Sequence, residues 1–182
     1  MGPTLSVHLP DLPSRGGIES LHGWLSQNVL DLTRTVDSWE FRFGSQSCLC
    51  SLALVPFGTQ ADGFGQATGG CMEEDEFVEY ELLLGHCPRA TFQLDNYCRS
   101  DLPGHKQLAQ LASELARRFS GMIDVGSAIH YLVKQSHLKG EALWPGRVIA
   151  LNLTHSAGWE VYLVDADFMD GWIESPHFGL EI

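Results

Sequence analysis

Basic residues are what this chain has least of: 11 lysines and arginines stand against 23 aspartates and glutamates, for a formal net charge of −12. A polyanion is repelled by such a surface, so nucleic acid is set aside as a partner. A protein with a basic cleft is favoured instead, because long-range attraction speeds encounter and selects partners. Long hydrophobic runs are missing as well. No stretch approaches the ~20 apolar residues of a bilayer span. The start, Met1-Gly2-Pro3-Thr4-Leu5-Ser6, has neither the basic residues nor the apolar run of a secretion signal. A cytoplasmic protein without membrane attachment is the expectation. Gly2 and Ser6 fit the loose N-myristoylation pattern, but Pro3 and the acidic chain speak against it. The five cysteines, Cys48, Cys50, Cys71, Cys87 and Cys98, are odd in number and lack CxxC spacing, which points to reduced thiols rather than a disulfide framework.

Recognisable catalytic and ligand motifs are scarce too. Eight histidines are scattered without an HxH or HxxxH pair, so no metal and no cofactor is expected. No GxSxG elbow or catalytic-cysteine pattern surrounds Ser156 or Cys98. Gly63, Gly65, Gly69 and Gly70 resemble a phosphate loop, yet no Lys-Ser or Lys-Thr follows, and the next segment is acidic.

What is present suits one folded unit. A 44% hydrophobic and 10% aromatic composition over 182 residues supplies one core, so residues 1–182 are expected to form a single α+β domain. Thr4 to Leu9 alternates as a strand, with Leu5, Val7 and Leu9 on one face and His8 on the other. Helical spacing from Gly17 to Thr33 predicts an amphipathic helix. Ser38 to Phe43 and Cys48 to Phe57 read as an antiparallel pair turning at Gly44-Ser45-Gln46. Five glycines between Gly58 and Gly70 predict a flexible loop with no core of its own. Ala90 to Leu94 reads as a strand.

The stripe Leu108, Leu111, Ala112, Leu115 and Phe119 predicts a helix from Asp101 to Ser120, stopped at Gly121. Met122 to Val125 is a short strand, whereas Lys134 to Glu141 carries no clear pattern. Arg147 to Leu153 and Trp159 to Val164 form a hairpin around residues 154–158, and Asp165 to Glu174 a last helix. The expected architecture is a mainly antiparallel sheet with two to four packed helices.

The acidic run Glu73-Glu74-Asp75-Glu76, with Glu79 and Glu81 before Leu82-Leu83-Leu84, is the densest local charge. Acidic groups suit a first helical turn, which complements the macrodipole, although Phe77, Tyr80 and the leucines also suit an edge strand. As a binding surface, Glu73, Glu74, Asp75, Glu76 and Glu79 would meet a cationic cleft, with Phe77 and Tyr80 as apolar anchors. Asp165, Asp167 and Asp170 suggest paired carboxylates, although the first two also occupy helix-start positions where acids belong.

Several stretches resemble a bacterial family of uncharacterised small acidic domains. They are Gly2-Pro3-Thr4 before a strand, Leu115-Ala116-Arg117-Arg118-Phe119-Ser120-Gly121 followed by Met122-Ile123-Asp124, Pro145-Gly146-Arg147-Val148-Ile149, and Val164-Asp165-Ala166 through Trp172 with Pro176 and Phe178. That family occurs in settings of toxin neutralisation. The resemblance implies a bacterial cytoplasmic immunity protein that binds a cognate toxin. It transfers no functional residue. The expected function is an immunity-type inhibitor that occludes a toxin with a basic cleft; a homo-oligomer is compatible with it. The alternative is a small-molecule hydrolase or transferase using Asp165, Asp167 and His155.

Overall fold

The computed structural model describes residues 4–43, 49–61, 67–70, 74–97, 102–139, 143–151 and 160–180. Its main element is an eight-stranded sheet. In chain order the strands are β1 (Thr4–Leu9), β2 (Leu30–Arg34), β3 (Ser38–Arg42), β4 (Cys50–Pro56), β7 (Ala90–Asn96), β8 (Met122–Asp124), β9 (Val148–Leu151) and β10 (Val161–Val164). They lie in the order β2-β3-β4-β7-β1-β8-β10-β9, and every neighbouring pair is antiparallel. Five helices accompany it among the described residues: α1 (Arg15–Asn28), α2 (Glu74–Leu84), α3 (Leu102–Phe119), α4 (His130–Lys139) and α5 (Ala166–Ile173). The fold is a single α+β domain.

Alternation along each strand divides the apolar residues between the two faces. Leu5, Val7 and Leu9 of β1 enter one core with Leu21 and Leu25 of α1, the Leu108, Leu111 and Leu115 stripe of α3, and Phe168, Met169 and Trp172 of α5. On the opposite face Ile149, Leu151 and Leu163 join Phe57 and Tyr80 in a smaller core, with Phe77, Leu83 and Leu84 of α2 against it. Helix α4 packs Leu132 and Val133 against the same core, so four helices pack against it, and α2 roofs part of the other face. No helix of the described residues is long and apolar enough to cross a membrane.

The first helix departs from the sequence reading. The predicted helix 17–33 ends at Asn28, whose side-chain Nδ2 donates to Trp24 O at 2.7 Å. Val29 is extended, and Leu30–Arg34 becomes the edge strand β2, paired with β3. Within residues 58–70, expected as a flexible loop without a core of its own, β5 (Thr59–Ala61) and β6 (Ala67–Gly70) pair as a two-stranded ribbon. Helix α4 covers most of the stretch that carried no assignment. The α3 helix stops where expected, but Ser120, not Gly121, takes the left-handed position at φ 53°, and Gly121 N donates to Ala116 O at 2.9 Å. Asp101 and both predicted hairpin turns, 44–46 and 154–158, lie outside the described residues.

Tyr162 of β10 is 1% exposed; its hydroxyl donates to Glu160 Oε2 at 2.6 Å and lies 3.2 Å from His130 Nδ1. Burial first, then the Glu160 hydrogen bond and charge, holds the phenol well above its ordinary value. A raised folded value means that the contribution to stability is complete below the unfolded value of about 10, and is lost as pH rises toward the folded value. Tyr162→Phe should therefore flatten the alkaline loss of stability above about pH 10. Urea midpoints of both proteins measured at pH 9, 10 and 11 check this; parallel slopes would contradict it.

Candidate functional site

The acidic run folds as α2, and its inward residues set which face is left for a partner. Glu76, Phe77, Tyr80, Leu83 and Leu84 recur at three- and four-residue spacing and turn toward the sheet. The Phe77 ring meets Phe57 edge-on at 5.6 Å and lies over Gly58, where an added Cβ would come within 2.6 Å of the ring. Tyr80 packs edge-on against Phe57 at 4.9 Å and His8 at 5.4 Å. At the end of the helix Arg147 Nη2 donates to Leu83 O at 3.1 Å, placing a cation where the helix dipole is negative.

What remains outward is Val78, Glu81 and Leu82. Val78 is 61% exposed and Leu82 80%, one helical turn apart on one face. A single exposed leucine is ordinary, but two stacked aliphatics make an apolar stripe, here beside the exposed Glu81. Cys87 sits just beyond the helix, its thiol pushed up by burial and secondarily by the Glu81 charge.

The expected contact residues separate accordingly. Glu73 lies outside the described residues, and Glu74 and Asp75 open α2. Glu79 and Phe77 are half-buried, while Glu76 is 5% and Tyr80 2% exposed. Phe77 and Tyr80, expected as apolar anchors, pack against the protein's own sheet, and the exposed apolar pair is Val78 and Leu82. Helical geometry carries the missed signal: once positions 77, 80 and 84 turn inward, positions 78 and 82 turn out.

Beneath α2 lies a polar node. His8, 8% exposed, has Nδ1 3.0 Å from Thr91 Oγ1 and Nε2 3.4 Å from the Tyr80 hydroxyl and 3.6 Å from Asp124 Oδ2. Strand alternation places His8 on the second face as expected, but α2 covers it. Thr91, His8 and Asp124 line up as a hydroxyl, an imidazole and a carboxylate. Thr91 is only 5% exposed, and Phe57 and Tyr80 pack edge-on against the imidazole. This geometry anchors the helix to the sheet and leaves no approach for a substrate to the hydroxyl.

The carboxylates of the enzyme alternative have other work. Asp165 caps α5: Oδ1 accepts from Phe168 N at 2.9 Å and Oδ2 from Arg147 N at 2.8 Å. Asp167 and Asp170 both accept from Arg117 Nη2, at 3.4 and 2.7 Å. Those contacts, led by Asp170, hold the guanidinium above its ordinary range. His155 lies outside the described residues.

A model described as a family of unknown function (DUF6368) matches residues 1–180. No curated protein and no solved structure matches the chain.

Proposed function

We propose that this chain, which belongs to that family, is an immunity-type inhibitor of a bacterial cytoplasm that binds a cognate toxin through the outer face of α2. The observation that carries the reading is the exposed Val78 and Leu82 stripe beside Glu81, on a helix fixed to the sheet through Tyr80 and Phe77. Apolar anchors on a rigid helix bind with little ordering cost, and the Glu81 carboxylate steers a basic cleft toward them. The charge of −12 acts in the same sense. Occlusion is the mechanism: the helix enters the cleft that the toxin needs for its own substrate.

A genetic test addresses the biological role. Cells that carry the chain beside a toxin gene should lose viability when the chain alone is deleted and regain it when the chain is supplied in trans. Normal growth of the deletion strain, with the toxin demonstrably expressed, would remove the immunity reading.

A further inference from the structure

Away from the outer face of α2, the start of β1 and the turn that follows β8 line an open cleft of about 350 Å³, with Ser6, Asp124, Gly126, Ser127 and Leu180 among its walls. That is roughly ten times the ~30 Å³ share of one water molecule, enough for a small charged group with part of an aliphatic chain.

The charge on its wall comes from Asp124, whose side chain is 26% exposed. Oδ1 accepts from Gly126 N at 2.7 Å, and Gly126 holds the tight turn at φ 56°. Oδ2 lies 3.6 Å from His8 Nε2. Among the described residues no lysine or arginine pairs with this carboxylate. Arg34, Arg42, Arg117 and Arg118 all pair with other acids. A carboxylate that opens on a cleft and has no lysine or arginine partner can accept charge-assisted hydrogen bonds from an incoming cation. The remaining wall suits the same ligand: Ser6 and Ser127 are hydroxyl residues beside the carboxylate, and Leu180 supplies an apolar side for the methylenes of an amine.

We infer that this cleft is a binding site for an organic cation, an ammonium or guanidinium group on a short aliphatic stem, held by Asp124 and the neighbouring hydroxyls. The group has two sources, a free small amine or a lysine or arginine side chain of another protein, and the chemistry at Asp124 is the same for both. The site does not depend on the α2 stripe and stands if that stripe binds nothing.

The test is a titration of the ¹⁵N-labelled chain at pH 8. The probes are methylguanidinium, n-butylammonium, neutral methylurea, and capped Gly-Arg-Gly and Gly-Lys-Gly peptides. The cations should give saturable shifts at the amides of Ser6, Gly126 and Ser127, with methylurea inert. Asp124→Asn, which keeps an acceptor for Gly126 N, should weaken them at least about tenfold. Ser6→Leu, which fills the cleft and leaves the carboxylate, should abolish them and covers the case in which the Asn variant fails to fold. Shifts from the peptides as well as the free cations identify a side-chain site; shifts from the free cations alone identify a small-molecule site. Either outcome supports the inference. Equal shifts from methylurea, shifts scattered over the acidic surface, or cation binding unchanged in a folded variant would overturn it.

Discussion

Replacing both Val78 and Leu82 by lysine should weaken toxin binding by at least about a thousandfold, read by calorimetric titration, with the melting temperature held within about 2 °C. The size follows from hot-spot behaviour: an apolar anchor contributes about 2 kcal/mol or more, two contribute about 4, and 1.4 kcal/mol is a factor of ten. Lysine also repels the basic cleft that the acidic charge attracts. Folding is spared because both side chains are mostly in water, and exposed substitutions stay within about 0.5 kcal/mol. A double variant that melts normally and binds normally would show that the partner sits elsewhere.

Gly146→Ala should cost more than about 3 kcal/mol of a total near 5–15 kcal/mol, read as a drop in the urea midpoint. Gly146 sits at φ 105°, where a side chain is strained whatever the space. Its missing Cβ also lets the chain press on the start of α5, since an added Cβ would run into Asp165 Oδ1 and Phe168 N. Those are the atoms of the helix cap, and Asp165 Oδ2 holds Arg147 N on the other side. One methyl group therefore strains the turn and pushes the cap apart together. The consequence reaches the core, because α5 carries Phe168, Met169, Trp172 and Ile173 into it. Asp165→Ala, which removes the cap without the collision, should cost about 1–2 kcal/mol; equal losses from the two variants would contradict the steric account.

Much of this architecture could be read from side-chain spacing. The alternation of Leu5, Val7 and Leu9, the stripe of α3 and the capping position of Asp165 each announce an element through local chemistry, and each stands as expected. The predicted helix failed past Asn28 because Val29 and Leu32 suit a helix and a strand equally. Pairing of β2 with Glu40 and Trp39 of β3 decides the matter, and that contact is non-local. The pairing of β5 with β6 could not be read from spacing, because its glycines signal only turns.

The site was legible by halves for the same reason. The acidic run read correctly as a helix start, but α2 has two apolar stripes, and only the sheet beneath selects Phe77 and Tyr80 over Val78 and Leu82. His8 shows the reverse case. Its strand position put it on the second face, and the roof over it comes from residues about seventy positions away.

The central claim is that a toxin sits on the Val78 and Leu82 stripe, and methyl cross-saturation in the complex tests it most directly. With the chain deuterated and methyl-labelled at valine and leucine, and the toxin protonated, saturation should pass most strongly to the methyls of Val78 and Leu82. Strongest transfer to Leu30 and Val36, exposed at the β2 edge and its turn, or to Leu12, with the α2 methyls unaffected, would contradict it.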